Sequence, residues 1–226
     1  MTGHEVTVRT PDAVLDGNLD LPPGAVGVVA FAHGSGSSRR SPRNRAVAAT
    51  LRDARIGTLL FDLLTPEEEH TDRATAALRF DIGLLTRRLT GAVDRLTAEK
   101  ETEGLPVGLF GASTGAAAAL RSAAERPASV VAVVSRGGRP DLAGAETLRR
   151  VRAPALLLVG GADPRVLELN EKALGDLGGT GRIHVVPSAG HLFEEEGALE
   201  EVAQAASAWF ARAMGEPTTQ LRVAHR

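Results

Sequence analysis

Six short, unbroken apolar runs recur along the chain: Val26 to Ala32, Thr58 to Phe61, Val107 to Phe110, Val130 to Val134, Ala155 to Val159 and Ile183 to Val186. A strand that is apolar at every position has no face to offer water, so it must be covered on both sides. Runs of this kind, separated by helical stretches, predict a parallel sheet with helices on both faces. Those stretches are Arg43 to Ala54, Thr71 to Ala98 as one long helix, Gly115 to Glu125, Ala143 to Val151, Arg165 to Leu177 and Leu199 to Ala213. Ahead of them, His4 to Arg9 and Val14 to Leu21 alternate polar and apolar residues about Pro11-Asp12, the pattern of an antiparallel pair. The expected fold is α/β, with about eight strands in all. A chain of 226 residues is enough for one well-buried domain and too short for two ordinary ones. That domain is placed at residues 1–216, with a polar, basic tail from Pro217 to Arg226 that is expected to fray. No insertion after the fourth or sixth strand is long enough for a lid, so an open site is expected.

Composition removes several functions. A formal net charge of −2 offers no electrostatic footprint for nucleic acid. Without cysteine there is no disulfide, no thiolate metal site and no thiol nucleophile. The first residues lack the apolar core of a signal peptide and no apolar run approaches bilayer length, so a cytoplasmic protein without a membrane partner is expected. His4, His70, His184 and His225 have no metal-ligand spacing, and no metal or cofactor is expected.

Chemistry concentrates at Gly111-Ala112-Ser113-Thr114-Gly115, where an apolar run breaks and resumes as an alanine-rich helix. A serine on a sharp strand-to-helix turn needs neighbours with almost no side chain, which is the steric reason for the G-x-S-x-G pattern. A serine hydroxyl also needs a base and a group to orient that base. Asp163 follows the run Ala155 to Val159, and His191 follows the run Ile183 to Val186, so an acid and an imidazole come downstream in the order Ser, Asp, His. For the oxyanion, the amides of Thr114 and of Ser35, in the loop His33-Gly34-Ser35-Gly36, are the candidates.

Each residue also has a plainer reading. Asp163 before Pro164 is a good helix N-cap. His191 can serve as a loop histidine bonded to backbone. Asp62 follows another strand, and Asp141 is the reserve acid. Glu194, Glu195 and Glu196 read as a solvated helix start drawn to its dipole. Arg39, Arg40, Arg43, Arg45, Arg136 and Arg139 cluster near the same sheet edge; Arg136 and Arg39 are candidates for binding substrate, against the alternative that these arginines brace loops through acidic partners.

The ordered set His33-Gly34, the Gly111-to-Gly115 elbow, Asp163 and His191 resembles the α/β-hydrolase superfamily over essentially the whole chain, and the compact, lidless form is similar to its dienelactone-hydrolase-like branch. The runs Phe31 to Ser38, Ser41 to Asn44, Phe61 to Glu67, Ser135 to Asp141 and His191 to Glu194 resemble a bacterial hydrolase group that also occurs fused to phosphoribosyltransferase domains. The resemblance implies a serine hydrolase acting on small soluble esters, with Ser113, Asp163 and His191 catalytic. Phosphoribosyl transfer is not carried over to these residues. Dienelactone hydrolase itself uses a cysteine nucleophile, so its substrate is not inherited with the fold. The alternative is a non-catalytic binding module built on the same fold.

Overall fold

The computed structural model describes residues 3–215; the tail expected from Pro217 lies outside them. Strands β1 (His4–Thr10) and β2 (Ala13–Asp20) form the antiparallel pair. β2 then pairs antiparallel with β4 (Ile56–Phe61), joining the hairpin to a parallel sheet of β3 (Gly27–Ala32), β4, β5 (Val107–Ala112), β6 (Val130–Arg136), β7 (Ala155–Gly160) and β8 (Gly181–Val186). The order across the sheet is β1-β2-β4-β3-β5-β6-β7-β8. β3, β4, β5 and β7 are buried at every position, as their unbroken apolar runs require. β8, with a neighbour on one side only, is half-buried.

Helices α1 (Pro42–Asp53) and α7 (Ala198–Ala213) pack on each other over one face, where Val47, Leu51, Phe31, Phe110 and Phe210 share a core. The other face is covered by α3 (Ile82–Ala98) and α4 (Thr114–Glu125), with Leu85, Leu89, Val93 and Leu120 in its core. The short α5 (Ala145–Arg150) and α6 (Pro164–Asp176) continue that layer. Ala116 to Ala119 of α4 are fully buried, small enough to let the helix lie close against the strands. Among the described residues there is no lid domain, and no helix is long and apolar enough to cross a membrane.

The single helix expected over Thr71 to Ala98 is instead α2 (Pro66–Thr75), one 3-10 turn (Leu78–Phe80) and α3. Two local devices explain the break. α2 begins at a capping box, Thr65 with Glu68, and ends at Ala76 in the left-handed region, φ 55°. Asp81 then caps α3 by accepting the Leu84 N–H at 2.9 Å. Buried Asp72 holds the turn between them, accepting from the N–H groups of Leu78 and Arg79 and from the Arg79 guanidinium. The segment expected at Ala143 to Val151 likewise divides into a 3-10 turn, Pro140–Ala143, and α5.

Candidate active site

Ser113 stands between β5 and α4 with φ 50° and ψ −117°, a strained conformation for a residue with a side chain. Neighbouring backbone over-determines it: the Ser113 N–H donates to the Arg136 carbonyl at 3.1 Å, and the Arg139 N–H donates to the Ser113 carbonyl at 3.1 Å. The flanking glycines are there for space. A Cβ at Gly111 would collide with the Ala116 backbone, and one at Gly115 would reach within 2.6 Å of the His33 carbonyl oxygen and closer still to that of Ala32.

Asp163 caps α6 and also meets His191, one oxygen for each task. Its Oδ1 accepts the Val166 N–H at 3.4 Å, while Oδ2 lies 2.8 Å from His191 Nδ1. With a carboxylate oxygen as acceptor, Nδ1 carries the proton and Nε2 is left as the accepting nitrogen. The two loops meet backbone to backbone. Gly160, which ends β7, leaves room for the Ala189 carbonyl, and that carbonyl accepts the Ala162 N–H at 2.9 Å. Phe193, 2% exposed, anchors the far side of the His191 loop in the α1/α7 core. Glu194 to Glu196 correct one expectation. α7 starts later, at Ala198; Glu195 accepts the Gly190 N–H at 2.9 Å and so braces the His191 loop, and Glu194 pairs with Arg43 at 3.1 Å.

Ser113 and His191 line one open cavity of about 340 Å³, together with Ser35, Asn44, Phe80 and Arg136. Thr114 opens α4, and its amide and that of Ser35 donate to no carbonyl among the described residues. The two side chains touch: Ser35 Oγ lies 3.1 Å from Thr114 Oγ1. Beyond that pair is a second cavity of about 290 Å³, bounded by Leu63, Leu85, Asp72 and Arg79.

His33 holds the Ser35 loop from beneath. The Leu63 N–H donates to Nε2 at 3.1 Å, so Nδ1 carries the proton and donates to the Gly34 carbonyl at 3.0 Å. Burial keeps this imidazole below its usual titration range, against the opposing pull of the Gly34 carbonyl, Asp62 and Glu69. Its contribution to pH dependence has a definite sign. As pH falls below about 6.5 the unfolded chain takes up a proton on this ring and the folded chain does not, so stability drops until the lowered folded value is reached. Denaturant titrations between about pH 6.5 and 5 are expected to show a stability slope steeper in the wild type than in His33→Asn, by up to about 1.4 kcal/mol per pH unit. Equal slopes in the two proteins would contradict the neutral, buried ring.

The arginines divide. Arg39 donates its N–H to Asp62 at 2.7 Å, pairs its guanidinium with the same carboxylate and reaches Asn18 at 3.2 Å; it stands outside the wall of the Ser113 cavity. Arg139 forks onto Asp141 at 2.8 and 2.7 Å, which occupies the reserve acid. Arg40 and Arg45 are exposed. Arg136 is buried in the cavity wall. Sequence reasoning assigned no role to Asn44, Phe80 or Leu192, which also line this cavity. Asn44 left a signal, because it shares the buried stripe Asn44, Val47, Ala48, Leu51 of α1. Phe80 left none, hidden inside a stretch read as continuous helix. Among the described residues no group of three or more His, Asp or Glu side chains is placed to hold a metal.

A strained serine between a central parallel strand and its helix, in a sheet of this order, defines the α/β-hydrolase class. The chain belongs to the dienelactone hydrolase family, whose pattern matches residues 48–215. It is similar to the crystal structure of a dienelactone hydrolase from Anabaena variabilis, at 57% identity and a TM-score of 0.91, over 93% of this chain and 97% of that one. An esterase domain from Rhodothermus marinus shares the fold at 21% identity and a TM-score of 0.73, over 95% and 100% of the two chains. A Mycobacterium tuberculosis protein provisionally named a phosphoribosyl transferase is 54% identical over 207 residues, 92% of this chain. The chain spans about half the length of that relative, 46%.

Proposed function

We propose that the protein is a serine hydrolase that cleaves small carboxylic esters through an acyl-enzyme. The observation that carries this reading is the 2.8 Å contact between His191 Nδ1 and Asp163 Oδ2, made by a histidine that shares its cavity with the strained Ser113. Ser113 Oγ attacks the acyl carbon as His191 Nε2 takes its proton, and Asp163 holds the imidazole in the accepting tautomer and stabilises the imidazolium. The tetrahedral oxyanion takes hydrogen bonds from the Thr114 and Ser35 amides, two donors with no carbonyl to release first. His191 then protonates the departing alcohol, and water enters by the same route in reverse to free the acid. Phosphoribosyl transfer, named for the curated relative, is assigned under this proposal to the part of that protein which this chain does not span.

The test is covalent. A fluorophosphonate probe is expected to add one equivalent to the wild type and none to Ser113→Ala, read by intact-protein mass. A correctly folded wild type that stays unlabelled would favour a non-catalytic binding module.

The hydroxyl contact between Ser35 and Thr114 gives a finer prediction, because it ties together the two residues whose amides face the oxyanion. Thr114→Val keeps shape and loses the hydroxyl, and is expected to lower kcat by about tenfold with KM little changed, less than the hundredfold or more of a deleted oxyanion donor. Thr114→Ser, which keeps the hydroxyl, is expected to recover most of the loss. Steady-state kinetics on an activated ester checks both; a fall in Thr114→Ser as large as in Thr114→Val would remove the hydroxyl from the account.

A further inference from the structure

Helix α6 buries Val166, Asn170 and Ala173 along one stripe, and the middle member is an amide where an apolar side chain would serve for packing. Asn170 is 0% exposed. Its Nδ2 donates to the Gly138 carbonyl at 3.0 Å and to the Val166 carbonyl at 2.7 Å. Both neighbours are acceptors, which fixes the NH₂ group toward them and leaves Oδ1 sealed without a partner. An unpaired buried acceptor is costly, and leucine would fill the same space without that cost. Of the two bonds, the one to Val166 stays within α6, while the one to Gly138 crosses 32 positions of chain. Among the described residues no backbone N–H donates to the Gly138 carbonyl, so Asn170 is its donor.

Gly138 lies in the segment Arg136 to Arg139, which touches each part of the proposed catalytic set. The Arg136 carbonyl accepts the Ser113 N–H at 3.1 Å, and the Arg139 N–H donates to the Ser113 carbonyl at 3.1 Å. The Gly137 N–H donates at 2.8 Å to the carbonyl of Leu158, in the strand that leads to Asp163, and a Cβ at Gly137 would come within 3.1 Å of the His191 carbonyl oxygen. Gly138 itself is pressed against α4 and β6: a Cβ there would come within 2.6 Å of the Ala116 Cβ and closer still to Ser135 Oγ. On its own side α6 begins at Asp163, whose Oδ1 accepts the Val166 N–H. Asn170 closes a ring of contacts that runs from Asp163 along the first turns of α6 to Gly138, through Arg139 to Ser113, and across their shared cavity to His191 and its partner Asp163.

We infer that Asn170 is a positioning residue: by holding the Gly138 carbonyl to α6, it fixes the distance between Ser113, gripped by Arg136 and Arg139, and the His191–Asp163 pair at the head of that helix. Asn170 stands outside the cavity wall and acts only through these others. The inference rests on the esterase reading above. Proton transfer from Ser113 to His191 needs the two groups within hydrogen-bond reach, and a misplacement of about 1 Å caused by a remote change can cost about a hundredfold in rate. Loss of a brace between backbones is expected to cost less, about tenfold.

Two substitutions isolate the Gly138 contact. Asn170→Leu fills the space without either bond, and Asn170→Ser keeps a donor for the Val166 carbonyl one turn back while falling short of Gly138. Both are expected to lower kcat for 4-nitrophenyl acetate by about tenfold with KM little changed, and to slow labelling of Ser113 by a fluorophosphonate by a similar factor. Measurements are made at a temperature where circular dichroism shows each protein fully folded. Val93→Ala, which opens a cavity in the α3 core, is the control for lost stability alone: it is expected to unfold at a lower temperature and to keep the wild-type kcat and labelling rate. If Asn170→Leu does not fold, Asn170→Ser carries the test. Wild-type kcat and labelling rate in folded Asn170→Ser, a rise in KM with kcat unchanged, or a loss that Val93→Ala reproduces overturns the inference. A wild type that neither labels nor turns over the ester overturns the esterase reading, and this inference with it, before any variant is compared.

Discussion

Ser113→Ala is expected to lower turnover of an activated ester by about a thousandfold or more while the protein folds normally. The size follows from the arrangement. The proposed reaction has one nucleophile, no thiol or metal among the described residues stands ready to replace it, and what remains is the oxyanion donors with bound water. Folding survives because removing Oγ relieves nothing and breaks nothing that holds the elbow, whose ties to Arg136 and Arg139 are made by backbone. His191→Ala is expected to fall as far, since residues acting as one unit fail together, and the double variant should be hardly worse than either single one. Turnover numbers with a folding control check this. A Ser113→Ala protein that keeps a tenth of the wild-type rate would remove the serine from the reaction.

Gly115→Ala is the second large effect, and it acts through space rather than chemistry. The new methyl group would press on the carbonyl oxygens of Ala32 and His33, the end of β3 and the start of the Ser35 loop, where backbone in the sheet cannot step aside. A loss of about 1–3 kcal/mol in stability is expected from such overpacking. Ester turnover should fall further than stability explains, because the displaced loop carries the Ser35 amide and the His33 clamp. Gly175→Ala is the matched contrast: it lies in α6, nothing stands within 4 Å of the added atom, and a gain of up to about 1 kcal/mol is expected. Urea denaturation of the three proteins alongside ester turnover reads both effects. Equal stabilities in Gly115→Ala and Gly175→Ala would show that the elbow is looser than its packing.

These predictions draw unequally on sequence. The elbow was legible because its requirement is local: small residues on either side of a serine, an apolar run before it and a helix after. Asp163 was legible as a helix cap and as a partner for His191, and the structure shows both contacts, since a carboxylate has two oxygens and a cap occupies one. The break between α2 and α3 was less legible. What ends α2 is a buried Asp72 gathering N–H groups six and seven residues ahead, a contact that helical periodicity does not record.

By itself the sequence determined the layers, the eight strands and the serine turn, because each depends on residues a few positions apart and on whether a run has a polar face. Only the tertiary structure decided which charges meet. Arg39 finds Asp62 across 23 positions, Glu194 finds Arg43 across 151, and Arg136 finds no carboxylate among the described residues. Such pairings are set by the order of strands in the sheet, which brings together the loops at one edge. An arginine in a loop therefore reads the same along the chain whether the fold gives it a partner or leaves it bare in a cavity wall.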